Sequence, residues 1–137
     1  MRQLTPETAL KLAQATLEAC RKEGFQVAVA VTDRSGVPQV LLRDRFAGPH
    51  TATIAINKAW TAVSFRQDTL SFARATSDAA NSGPRHFERV VAVGGGVPVE
   101  AGGSMLGAVG VSGGPGGEAD DRCARSGLDN IRGDLDF

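Results

Sequence analysis

The sequence predicts an α+β fold, in which a mainly antiparallel five-stranded sheet carries helices on one side. Apolar residues recur with helical spacing near both ends and in the middle of the chain, and strand-like apolar runs lie between these segments. Short turns join the first strand to the second and the fourth to the fifth, which favours antiparallel pairing. The 137 residues are 42% hydrophobic, so we expect a single domain spanning residues 1–137 with a substantial core.

The first predicted helix and the hairpin after it have clear boundary signals. Thr5 is a suitable cap, Pro6 suits the first helical position, and Gly24 ends the helix. Two strand-like runs follow at residues 26–32 and 37–43, and residues 33–36 between them are typical of a tight turn. These two strands are therefore expected to pair as a hairpin.

The second predicted helix begins after the Gly-Pro pair at residues 48–49 and runs to about residue 65. One of its faces has the spacing of a core stripe, and Ile54, Ala62 and Phe65 form a second apolar patch on nearly the opposite side, with Lys58 in its middle. A helix that is apolar on two faces is usually buried on both, by its own core and by a partner subunit, a lid or a ligand. The pattern therefore favours a homo-oligomer.

The second half of the chain contains the remaining predicted elements. A short helix is predicted from residue 68 or 69 to about residue 75, strands at 90–93, 97–100 and 105–112, and a final helix from 118 to about 130. Pro98 restricts the strand at 97–100 to an edge or an end of the sheet.

Composition excludes several classes of function. The chain has 15 basic and 15 acidic residues and a pI near 6.7, which argues against a nucleic-acid or anionic-membrane partner. No apolar run approaches the roughly 20 residues of a membrane span, and the N-terminus lacks the apolar region of a signal peptide. We therefore expect a cytoplasmic protein.

The two cysteines, Cys20 and Cys123, are interpreted as isolated thiols. They lie about a hundred residues apart, without a C-x-x-C pair or metal-ligand spacing. Both fall on apolar stripes of predicted helices, where a free cysteine acts as a small hydrophobic residue.

Glycine is concentrated in one region: 11 of the 17 glycines lie between Gly94 and Gly117. Neither nucleotide-binding glycine motif is present, and the acids at the start of the final helix would repel a phosphate. Gly107 and Gly110 instead predict the close approach of another backbone, a helix or a flat ligand.

Three side chains are candidates for chemistry. His50, at the start of the second helix, is a better candidate ligand than His86, which lies in a loop where exposure is expected. Two lone histidines cannot form a three-histidine zinc site, so no metal is expected. Lys58 either extends its stem over apolar surface or places its ammonium against an anion or an acid of a neighbouring subunit, and desolvation would then suit it to acid–base work.

Several runs of the sequence resemble a known family. They are VTDRSGVPQVLLRD, the helix ending at Asn57-Lys58-Ala59, VVAVGGGVPVEAGGSMLGAVGVSGG and DRCARSGL. Together they are similar to the GlcG/HbpS-like family, which includes the C-terminal domain of PduO-type proteins, over about residues 4–128. Residues 50–53, where family members commonly have a serine and an acid, and residues 66–87 depart from the family pattern.

The resemblance implies a profilin-like α+β fold and homo-oligomers, either dimers or higher oligomers built from dimers. Several family members bind haem, so the resemblance also implies haem as a candidate ligand. Lys58 matches the family pattern, as do glycines that include Gly95 and Gly96.

Two hypotheses for function remain, besides that of a structural accessory subunit. The first is a protein that binds haem or another small metabolite, with His50 or His86 as an axial ligand and arginines for the propionates. The second is a cofactor-independent lyase or isomerase that acts on a small carboxylated or oxygenated metabolite, with Lys58 or His50 as the acid–base group.

Both hypotheses use the same predicted site. It lies where the His50–Lys58 end of the second helix meets the glycine loop formed by Gly94, Gly95 and Gly96. Polar groups border an apolar patch there, glycines expose backbone N–H groups, and residues 66–87 are expected to provide a variable wall.

Overall fold

The computed structural model describes residues 3–135. Its helices are α1 (Pro6–Lys22), α2 (Thr51–Phe65), α3 (Thr69–Ala75) and α4 (Gly117–Asn130), with single 3₁₀ turns at Ala79–Asn81, Gly83–His86 and Arg132–Asp134. Its strands are β1 (Ala28–Asp33), β2 (Pro38–Arg43), β3 (Gly96–Ala101) and β4 (Ser104–Ser112). In α1, the Thr5 side chain accepts a hydrogen bond from the Thr8 N–H and Pro6 occupies the first turn, as the sequence predicts.

The sheet is antiparallel throughout, with the strand order β2-β1-β4-β3. Both predicted hairpins are present, and β3, which contains Pro98, lies at an edge as expected. The prediction of five strands is wrong, because the sheet within residues 3–135 has four. Residues 90–93 are not a strand: the Val91 N–H donates to Oγ1 of Thr61 on α2 at 3.0 Å instead of joining a ladder.

The helices lie on both faces of the sheet, so the expectation that they lie on one side is also wrong. Val29 and Val31 of β1 belong to the core that α1 and α4 cover, whereas Ala28 and Ala30, on the opposite face, pack against Ala55 of α2. The sequence contained a signal for this arrangement, because the apolar run of β1 has no polar residue at alternate positions and can be buried on both faces.

Small residues bring α2 close to the sheet. Ala59 and Ala62 of α2 form a cluster with Ala108 of β4, and a Cβ atom at Gly110 would clash with the carbonyl oxygen of Ala55. Gly110 therefore permits the approach of a helix, which was one of the three approaches predicted for it.

A disulfide joins α1 to α4 on the other side of the sheet. Cys20 and Cys123 are fully buried, their Cα atoms are 5.3 Å apart, and their sulfurs are bonded. Burial of both residues is confirmed, but the interpretation as free thiols is wrong. Sequence spacing gives no indication of this pair, because the two residues meet only when α1 packs against α4.

The second apolar patch of α2 is divided among several contacts within the chain. The Phe65 ring lies 4.6 Å from the Phe72 ring of α3, and Ala62 packs towards the sheet. Outside this patch, the Arg89 guanidinium lies 4.6 Å from the centre of the Trp60 ring. Other segments of the same chain therefore cover much of the second apolar patch of α2, for which the sequence predicts a partner subunit, a lid or a ligand.

Within residues 3–135, no helix is both long enough and apolar enough to span a membrane.

Candidate functional site

A cavity of about 460 Å³ lies between the first half of α2, the segment at residues 91–93 and the loop at residues 112–117 that leads into α4. We call it the α2–α4 cavity. Its apolar wall includes Phe46, Ile54, Val91 and Val93, its floor Lys58 and Asp120, and its rim His50. Apolar walls with a few converging polar groups are typical of small-ligand pockets.

Lys58 lies at the floor of the cavity and is only 2% exposed. Its Nζ donates hydrogen bonds to the carbonyl oxygen of Val111 at 2.8 Å and to Oδ2 of Asp120 at 3.0 Å. The stem therefore does not run along exposed surface, and the acid that pairs with Lys58 belongs to the same chain. Neither the snorkelling interpretation nor a pairing with a neighbouring subunit describes this contact.

Asp120 completes a buried ion pair at the first turn of α4. Its side chain is 5% exposed, and Oδ1 accepts the Gly114 N–H at 2.9 Å. Burial raises the pKa of Asp120, against the opposing effect of the Lys58 charge. Burial likewise lowers the pKa of Lys58, against the attraction of Asp120.

The glycine loop at Gly94, Gly95 and Gly96 does not line the cavity, although the sequence predicts it at the site. It lies behind Lys58 instead. Gly95 has φ +131°, and a Cβ atom there would lie 2.9 Å from Lys58 Nζ. A Cβ atom at Gly96 would clash with the Lys58 carbonyl group, and one at Gly94 would lie 2.6 Å from the carbonyl oxygen of Gly117. Gly95 and Gly96 therefore allow the backbone to pack closely against Lys58, and Gly94 allows it to pack against the start of α4.

The two histidines are in different places. His50 is exposed at the N-terminal end of α2, lines the α2–α4 cavity and makes no side-chain capping bond. His86 is exposed in the 3₁₀ turn Gly83–His86 and is not a lining residue. The structure thus brings His50 and Lys58 to one cavity, without His86.

The variable wall expected from residues 66–87 contributes no lining residue to this cavity. The wall on that side consists of Val91 and Val93, which follow the expected segment. Val93 is 46% exposed and Phe46 is 78% exposed, so part of the cavity wall is apolar surface open to solvent.

Asp120 is the site residue that sequence reasoning missed. From the sequence, the acids at the start of the last helix are considered only as charges that would repel a phosphate. An acid at that position also suits the helix dipole, which gives no indication of a side-chain partner. The only signal was the lysine itself, because a lysine among apolar residues requires a counterion or an exposed ammonium. The sequence does not indicate which acid is the counterion of Lys58, because Asp120 lies 62 residues further along the chain and meets the lysine only when α4 packs near α2.

Within the described part of the chain, no group of three or more histidine, cysteine, aspartate or glutamate residues is placed to hold a metal ion.

Comparison with known proteins identifies the family. A sequence model described as "Haem degrading protein HbpS-like" matches residues 4–129. The chain belongs to the HbpS-like family. This confirms the family resemblance, which covers nearly the same residues.

Curated and solved relatives agree with this assignment. Protein GlcG of Escherichia coli K12 is 32% identical over 112 residues, which are 80% of this chain and 81% of GlcG. A solved double mutant of Streptomyces reticuli HbpS is 37% identical, with a TM-score of 0.89, and the match covers 96% of this chain and 88% of HbpS. A solved complex of PduOC with haem is 28% identical, with a TM-score of 0.84 and coverage of 95% and 96%.

Proposed function

We propose that this HbpS-like chain is a small-ligand-binding protein and that haem is its ligand in the α2–α4 cavity. The observation that carries the proposal is the position of His50, whose imidazole lies at the rim of a cavity with apolar walls. The family match and the structural similarity to the PduOC–haem complex support it.

The residues of the cavity fit a haem group. Phe46, Val91 and Val93 provide apolar surface for the macrocycle, and the His50 imidazole provides an axial ligand for iron. Arg45 is not a lining residue, but its guanidinium lies 5.6 Å from the centre of the Phe46 ring of the cavity wall, so it is the candidate partner for a propionate. Bound haem would supply iron redox chemistry, and the chain would set its orientation and its access to water.

A haemin titration with two histidine variants tests this proposal. We expect the wild-type chain and His86→Ala to give a saturable shift of the Soret band near one haem per chain. His50→Ala should bind haemin at least about tenfold more weakly, because it removes the proposed iron ligand. Equal affinity of all three proteins, or no saturable shift in any of them, would contradict the proposal.

The buried ion pair favours an enzymatic function as a second candidate. Lys58 lines the cavity, and burial lowers its pKa, which brings the ammonium closer to proton transfer near neutral pH. In a cofactor-independent lyase or isomerase, Lys58 would exchange a proton with the substrate while Asp120 holds its Nζ in place.

We also propose that the chain forms a homo-oligomer. The cavity carries exposed apolar side chains, Phe46 and Val93, and Phe87 is 60% exposed, which is the kind of surface that partner subunits cover. Light scattering should give a mass of two or more chains of 14.2 kDa each. A monomeric mass at micromolar concentration would contradict the proposal.

The cytoplasmic location expected from the sequence stays a prediction. The Cys20–Cys123 disulfide favours an oxidising compartment instead, because cytosolic proteins rarely keep such bonds.

A further inference from the structure

The buried Lys58–Asp120 pair at the floor of the α2–α4 cavity restricts which chemical groups can bind there. We infer that the Lys58–Asp120 pair binds a neutral ligand group that both accepts and donates a hydrogen bond, and that it discriminates against a carboxylate. Carboxamides, hydroxy-ketones and protonated carboxyl groups have this character. The inference rests on the proposed function only in taking this cavity as the ligand site.

The hydrogen-bonding capacity of the pair is incompletely used. A lysine ammonium has three donors, and Lys58 uses two of them, on Val111 and Asp120. Each carboxylate oxygen of Asp120 can accept two hydrogen bonds, and each accepts one, Oδ1 from Gly114 and Oδ2 from Lys58. The floor therefore has one spare donor on Lys58 and two spare acceptor positions on Asp120, and the bonded atoms of the two groups lie 3.0 Å apart.

The charge of the floor selects among ligands that could use these groups. Lys58 and Asp120 are the charged side chains among the lining residues, and their charges cancel. A carboxylate placed beside them would add a buried negative charge with no counterion, and it would also face the Asp120 oxygens without a proton to donate. A neutral group with one acceptor and one N–H or O–H avoids both costs.

Benzamide and benzoate form a matched pair of probes for this inference. They have nearly the same shape, and the aromatic ring suits the apolar wall that includes Ile54 and Val91. They differ only in the polar group, which is a neutral donor and acceptor in benzamide and an anionic acceptor in benzoate. Any difference in their affinity therefore reports on the floor.

The test measures the dissociation constants of both probes by NMR titration of the wild-type chain and of Asp120→Asn. In the wild type we expect benzamide to bind about tenfold more tightly than benzoate. Asp120→Asn keeps the shape of the side chain but leaves the Lys58 charge without a counterion, so the preference should reverse in favour of benzoate.

Equal or tighter binding of benzoate by the wild type would overturn the inference. A wild type that binds neither benzamide nor benzoate would also overturn it. The wild-type comparison decides the matter even where Asp120→Asn is too unstable to titrate. Haemin binding is a separate readout: if haemin binds but benzamide is not preferred, the inference fails and the proposed haem function stands. The opposite result removes the haem function and leaves the inference.

Discussion

Reduction of the Cys20–Cys123 disulfide is expected to lower the free energy of unfolding by about 4–5 kcal/mol. The two cysteines are 103 residues apart, so the bond closes most of the chain into a loop. In the chain-entropy description, a loop of this length strongly restricts the unfolded chain and thereby stabilises the folded one. Guanidinium unfolding with and without reductant measures the effect.

The double variant Cys20→Ala/Cys123→Ala is the matched control for this measurement. It should unfold near the midpoint of the reduced wild type and should not respond to reductant, because no bond remains to be reduced. A reduced wild type with the same midpoint as the oxidised protein would contradict the stabilising role of the bond.

Asp120→Asn is expected to lower the free energy of unfolding by about 3–5 kcal/mol, because it leaves a buried lysine without its counterion. Both side chains are largely buried, being 3% and 5% exposed, and what remains accessible lies at the floor of the α2–α4 cavity. The double variant Lys58→Met/Asp120→Asn carries no charge at either position and should lose less stability than the sum of the two single variants. Chemical denaturation of the wild type, of Lys58→Met, of Asp120→Asn and of the double variant measures both effects.

Glu118→Gln provides a control on the same helical turn. The Glu118 side chain is 76% exposed and lies 4.0 Å from Arg74, so its replacement should change stability by less than about 0.5 kcal/mol. If Asp120→Asn were as stable as Glu118→Gln, the ion pair would not contribute to folding in the way described.

Local signals predicted most of the secondary structure. The cap at Thr5, the turn at residues 33–36 and the helical spacing of α2 each depend on residues close together in sequence, and the structure contains all three elements. The wrong prediction of a strand at residues 90–93 arises because a contact distant in sequence determines the structure there. That stretch has the composition of a strand, but a hydrogen bond from Val91 to Thr61 holds it across α2.

The candidate site could be predicted only in part. His50 is the residue that precedes α2 and Lys58 lies two turns into the helix, so local sequence signals are enough to place both at the same part of the molecule. Asp120 and the Cys20–Cys123 bond depend on how α4 packs against the rest of the molecule, and no local pattern contains that information. That helices cover both faces of the sheet could in principle be predicted, because the alternating valines and alanines of β1 indicate burial on both faces.

The two edge strands restrict how copies of this chain can associate. Each contains a proline, Pro38 in β2 and Pro98 in β3, and proline has no N–H to donate to an added strand. A continuous sheet that crosses from one copy to the next would therefore lack a hydrogen bond at either edge. Assembly of this protein is expected to bury helix and loop surfaces, and the same prolines protect the folded chain against edge-to-edge aggregation.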